Sequence, residues 1–238
     1  MHMKHAYSLD REVLGLDWQR GSLYLVGGAP EDSDRYILGN CIVEGTKTEQ
    51  LGYYFCADLP YPISSNLFQM QIEKIRKQKG NVDFDHFQMP FVYFDYIPNP
   101  TVSYVVERIF MMAEKRHADY FVIHHLQDIN GGPFIRYRRE VQLNKILQLL
   151  KTVAETTETV IVVTSTLSFP RRERRIMLED LAGSPLAEKY CDRVLLIDYS
   201  DDFGYRLLIL KESAEDGKLE ETVIPVVITD KSSAFEKP

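Results

Sequence analysis

Gly28-Ala29-Pro30-Glu31-Asp32-Ser33-Asp34-Arg35 follows an apolar run from Ser22 to Val26 and leads into a helical pattern that begins at Ser33. Strand, tight turn and helix, in that order, are the setting of a phosphate-binding loop, which reads G-x-x-x-x-G-K-[ST]. In a working loop the glycines let backbone N–H groups wrap the phosphates, the lysine neutralises them and the hydroxyl holds magnesium. Counted from Gly28, the last three places hold Ser33, Asp34 and Arg35. An aspartate in the lysine place reverses the charge facing a phosphate, and Glu31 and Asp32 add two more negative groups. The stretch has the position of a nucleotide loop and a charge that repels the ligand.

Short runs rich in β-branched and aromatic residues predict strands at Ser22–Val26, Gly52–Ala57, Phe91–Asp95, Tyr120–His124, Val160–Thr164 and Arg193–Asp198. Helical patterns lie between them, at Ser33–Glu44, Ser64–Lys79, Thr101–His117 and Arg139–Thr156. In the third, Val102, Val105, Val106, Ile109 and Met112 recur at intervals of three and four; in the fourth, Val141, Leu143, Ile146, Leu147, Leu150 and Val153 do. Both stripes read as core-facing packing. Alternation of strand and helix predicts an α/β fold with a mostly parallel sheet covered on both faces and ligands at the carboxyl ends of its strands. Tyr205–Lys211, the polar turn Glu215-Asp216-Gly217-Lys218 and Thr222–Thr229 predict an antiparallel hairpin at the sheet edge. A single domain over residues 1–229 and a frayed tail over 230–238 are expected.

With 45% hydrophobic residues among 238, the chain can bury a sizeable core. No apolar run approaches the roughly 20 residues that span a bilayer, and the N-terminus lacks the apolar segment of a secretory signal, so a cytoplasmic protein is expected. Cys41, Cys56 and Cys191 are too scattered for a disulfide framework or a metal knuckle, and no metal is expected. The net charge of −7 argues against coating nucleic acid by overall attraction, which leaves local arginine clusters as the place to look.

Four segments carry a family resemblance: Leu14-Gly15-Leu16-Asp17-Trp18-Gln19-Arg20-Gly21-Ser22-Leu23, Tyr54-Phe55-Cys56-Ala57-Asp58-Leu59, Phe121-Val122-Ile123-His124-His125-Leu126-Gln127, and the stretch from Leu181 to Leu195. In that order they resemble the phrases "GGLQPGDL", "FFSLEM", "IVIDYLQ" and "LRESGAIEQDADVVL" of the RecA-like C-terminal ATPase domain of DnaB-type replicative helicases. The resemblance covers nearly the whole chain and implies a three-layer sandwich, with helices on both faces of the central sheet. It also implies a former ATP site whose groups have changed. The family's magnesium-supporting aspartate falls on His124, a neutral ring that offers no hard anionic oxygen. Its polar sensor falls on Thr166 and its arginine finger near Ser213. Asp58, one methylene shorter than the family's glutamate, alone keeps a catalytic charge. A finger contributes about 10³ to 10⁵ in rate, so the loss of finger, lysine and magnesium aspartate together predicts no hydrolysis. Gly45-Thr46-Lys47-Thr48 follows the first helical pattern instead of opening one and is no substitute loop.

Two arginine clusters remain, Arg136, Arg138 and Arg139 after the His124 strand, and Arg171, Arg172, Arg174 and Arg175 after the Thr164 strand. The resemblance places them in the two loops that grip single-stranded DNA inside a helicase ring. Tyr137 and Phe169 add rings suited to base stacking, while Glu140, Glu173 and Glu179 offer the competing reading of surface ion pairs. His124 and His125 are expected to point to opposite faces of a continuing strand and make a poor chelating pair. The leading expectation is a helicase-like domain without catalysis, a scaffold or binding module for single-stranded DNA or a replication protein, with no cofactor and no membrane. One alternative is a divergent active ATPase binding ATP and magnesium, with Gly28, Ser33 and Arg35 on the phosphates and Asp58 as base. The other is a protein-interaction domain with solvated arginines. The family closes its ring partly through an N-terminal domain and linker helix that this chain is expected to lack, so a homo-oligomer or a mixed ring with an active relative is left open.

Overall fold

The computed structural model describes residues 7–10, 16–29, 52–56, 92–168, 175–183, 186–200, 204–212, 219–228 and 235–236. Its strands are β1 (Tyr7–Asp10), β2 (Leu16–Trp18), β3 (Leu23–Gly27), β4 (Gly52–Cys56), β5 (Val92–Tyr96), β6 (Tyr120–His124), β7 (Val160–Ser165), β8 (Arg193–Ser200), β9 (Gly204–Glu212), β10 (Leu219–Ile228) and β11 (Phe235–Glu236). Two α-helices lie among them, α1 (Val102–Arg116) and α2 (Arg139–Thr157). The expected helices at 33–44 and 64–79 lie outside the described residues.

One sheet runs β11-β10-β9-β8-β3-β7-β6-β4-β5, and β1 pairs with β2 in a separate small sheet. From β5 to β8 every neighbouring pair is parallel; from β8 to β11 every pair is antiparallel. The antiparallel part is the expected C-terminal hairpin, extended by one short strand. That strand falls within the stretch expected to fray: Phe235 and Glu236 pair with Ile228 and Val227.

β3, β6 and β7 are buried along their whole length, which is why they read as unbroken apolar runs instead of alternating ones. One face of the sheet supplies Leu23, Leu25, Phe121, Ile123, Ile161 and Val163 to a core completed by α1 and α2. Val102, Val105, Ile109 and Met112 line the buried side of α1. On α2 that side is Leu143, Ile146, Leu147, Leu150 and Val153. Val141 departs from the expected stripe at 39% exposure, because it sits in the first turn beside the preceding loop. Thr101 caps α1 by accepting from the Tyr104 N–H at 3.2 Å, and His117 ends it at φ +55°. No helix among the described residues is long and apolar enough to cross a membrane.

Gly52 lies opposite Tyr120, and a Cβ there would stand 2.2 Å from that ring's Cζ and 2.3 Å from its hydroxyl oxygen. Tyr120 is fully buried and has nowhere to swing. Gly52→Ala is therefore expected to cost about 1–3 kcal/mol through overpacking. Urea unfolding measures it, and an alanine variant as stable as the parent would count against this packing.

The connections place the site. The chain leaving β3 passes β7 and β6 to reach β4, whereas the chain leaving β7 passes β3 to reach β8. These paths diverge between the carboxyl ends of β3 and β7, the kind of switch point at which α/β sheets bind ligands.

Candidate functional site

Gly28, Thr166 and the His124-His125 pair lie at the carboxyl ends of β3, β7 and β6, His124 being the last residue of its strand. A Cβ at Gly28 would approach the Ile197 Cβ to 3.2 Å, so the glycine fits a narrow gap against β8. Ser33, Asp34, Arg35, Asp58, Arg171, Arg172, Arg174 and Ser213 lie outside the described residues.

Both histidines turn toward one atom. His124 Nδ1 lies 2.9 Å from the Thr164 hydroxyl oxygen and His125 Nδ1 lies 2.8 Å from the same oxygen. The expectation that the rings diverge is corrected: β6 ends at His124, the pleat does not continue into His125, and the ring centroids are 3.4 Å apart. The peptide between them is cis. A threonine hydroxyl carries a single proton and can donate to only one Nδ1. At least one ring must therefore hold its proton on Nδ1 and donate to Thr164. Both histidines are buried, at 1% and 6% exposure, and the space between them and Phe55, Asp95 and Ile123 is about 10 Å³. That is room for no more than a single water. A larger cavity, about 500 Å³, lies at the opposite end of the sheet against Gln148, Glu188 and Asp192. Its Lys151 is already held by Asp192 at 2.8 Å.

Gln127 performs a task that the sequence did not reveal. Its Nε2 donates to the Ser165 hydroxyl at 2.8 Å and to the Ala182 carbonyl at 2.7 Å, and its Oε1 accepts from the Thr166 N–H at 3.2 Å. One amide thereby ties the loop after β6 to the end of β7 and to the segment before β8. A signal was present in principle: two buried polar residues, Thr164 and Ser165, end an otherwise apolar strand and need partners. Thr166, the expected sensor position, is joined to this latch through its backbone.

The loop after β6 is braced along its length. The His125 N–H donates to Asp128 Oδ2 at 3.3 Å, the Gly132 N–H to Asn130 Oδ1 at 3.0 Å, and the Asn130 N–H to the Pro100 carbonyl at 2.8 Å. Gly132 takes φ +51°, a conformation that disfavours a side chain. From the first turn of α2, Arg139 donates to the carbonyls of Gln127 at 2.7 Å and Ile129 at 2.8 Å. Its burial lowers its pKa, with the charge of Asp128 opposing. Gln142 donates to the Tyr137 carbonyl at 2.6 Å. Arg139 is thus a fastener of the loop, while Arg136 and Arg138 are exposed and pair with no carboxylate among the described residues. In the second cluster, Arg175 forms an ion pair with Glu221 on β10.

The sequence matches no family model and no curated protein. Solved structures do share the fold, with its mostly parallel sheet, helices and C-terminal antiparallel hairpin: it is that of RecA-like ATPase domains. A DnaB-like replicative helicase, studied with primase, aligns at TM-score 0.70 and 15% identity over 92% of this chain. This chain spans only 58% of that helicase chain's length. A second ATPase domain aligns at TM-score 0.70 and 14% identity over 98% of this chain and 90% of its own. A KaiC-like protein from the archaeon Pyrococcus horikoshii aligns at TM-score 0.61 and 11% identity over 98% of this chain and 96% of its own.

Proposed function

We propose that this chain is a helicase-type domain whose nucleotide site is filled by its own side chains, and that it serves as a binding module instead of a motor. The observation that carries the reading is the His124-His125-Thr164 cluster. Where the DnaB-type resemblance expects a carboxylate beside magnesium, two buried imidazoles share one hydroxyl and leave about 10 Å³ beside them. An imidazole ring carries no oxygen and offers magnesium no hard anionic ligand. The sequence adds Asp34 in the lysine place and Ser213 near the finger position.

The exposed Arg136 and Arg138 supply the binding surface, and the sequence adds Arg171, Arg172 and Arg174 in the loop after β7. Single-stranded nucleic acid is the ligand that this reading favours, because a local basic loop on a chain of net charge −7 attracts phosphates without coating. The solved DnaB-like helicase was studied with primase, which makes a replication protein the partner class to test first. A cytosolic location accompanies such a role.

Magnesium-dependent ATP turnover by the purified full chain is expected to equal a no-protein blank. Turnover well above the blank, abolished by Asp58→Ala, would establish the divergent-ATPase reading in its place. A coupled phosphate-release assay separates the two outcomes.

A further inference from the structure

The loop between β6 and α2 presents more than charge. Ile135 is 63% exposed and Tyr137 49%, while Arg136 and Arg138 flank the tyrosine in sequence and are exposed as well. An exposed aliphatic and an exposed aromatic residue at a loop tip contribute nothing to the core that α1 and α2 build. They are also held rigidly. The Tyr137 N–H donates to the Phe134 carbonyl at 3.0 Å, and Gln142 Nε2 donates to the carbonyls of Ile135 at 3.3 Å and Tyr137 at 2.6 Å.

Beneath the tip, a single cation serves two rings. Lys145 Nζ lies 5.0 Å from the centre of the Tyr137 ring and 5.8 Å from that of Phe134. These distances are within cation–π range, so the ammonium fixes the tyrosine ring against α2 while the rest of the ring remains open to solvent.

We infer that Tyr137 is a preformed base-stacking platform, with Ile135 at its edge and Arg136 and Arg138 reaching the flanking phosphates of a single strand. The inference rests on the nucleic-acid reading above and makes it specific: affinity comes from an unpaired base as well as from the backbone. A flat ring between cations suits a nucleobase, because every base has a π-face and carries a phosphate on either side. A duplex keeps its bases stacked inside and offers this ring nothing to cover. An acidic peptide supplies charge without a planar partner. Rigidity matters because a loop ordered before binding loses little entropy when it binds.

Fluorescence anisotropy on the full chain tests this with labelled oligothymidylate of about 12 nucleotides, within the span of single-strand sites. The comparison probe is an oligonucleotide of equal length made entirely of abasic sugar-phosphate units. Oligothymidylate is expected to bind about 10-fold more tightly than the abasic strand. Tyr137→Ala should erase that preference, Tyr137→Phe should keep it, and Arg136→Ala with Arg138→Ala should lower the salt slope for both probes by about 1.4. Tyr137 is half exposed, so its alanine variant should retain the parent's melting temperature. Equal binding of the two strands, unaltered in Tyr137→Ala, would overturn the stacking platform and leave the nucleic-acid reading standing. Polyglutamate bound as tightly, with the same dependence on Tyr137, would overturn it in favour of an acidic peptide. No binding of any oligonucleotide at low salt would overturn the nucleic-acid reading and the platform with it.

Discussion

Thr164→Val is expected to lower the unfolding free energy by about 2–4 kcal/mol, because one substitution removes the hydrogen-bond partner of two buried imidazoles at once. The shape is nearly kept, so packing contributes little to the loss. His124 and His125 are 1% and 6% exposed, and water cannot readily replace the hydroxyl oxygen that lies 2.9 Å and 2.8 Å from their Nδ1 atoms. Thr164→Ser keeps that oxygen and should cost only the lost methyl group, about 1 kcal/mol. Urea denaturation of the pair of variants measures the difference. A valine variant no less stable than the serine one would mean that the hydroxyl is not what holds the two rings.

Arg206→Met should cost about as much or more. Asp198, on β8, is 2% exposed, and its Oδ2 takes the Arg206 guanidinium from the facing position on β9 at 2.5 Å. Among the described residues, its Oδ1 has only a long 3.4 Å bond from the Ile176 N–H. Removing the arginine leaves a buried carboxylate with little compensation, a change that costs about 3–5 kcal/mol. For a chain of this size the melting temperature should fall by about 6–12 °C. The double variant Asp198→Leu with Arg206→Met removes both charges and is expected to recover most of the loss. Additive losses in the double variant would show that the pair is not coupled.

The strands were legible because burial on both faces forces unbroken apolar runs: Tyr120–His124 was read to the residue, and Leu23–Gly27 and Val160–Ser165 to within one. The helices at 102–116 and 139–157 were legible from their three-and-four spacing. What escaped reading was whatever depends on partners distant in sequence or on where a strand stops. The short β1–β2 pair and β11 carry too few residues for periodicity to register. The convergence of His124 and His125 depends on β6 ending between them. Arg175 looked like its neighbours, yet its partner Glu221 sits on β10, 46 residues away in sequence. Arg139 likewise shares the composition of Arg136 and Arg138, and only the position of two carbonyls before it turns it into a fastener.

The strand order carries a consequence for how the chain comes together. β3 is the first of the parallel strands to be synthesised, yet both of its neighbours, β7 and β8, begin at Val160 or later. No local pairing is open to it in the finished topology, and contacts this distant in sequence form slowly. On a ribosome, the middle of the sheet must wait for most of the chain to emerge. A nascent chain halted before residue 160 would hold its most apolar strand without either native neighbour.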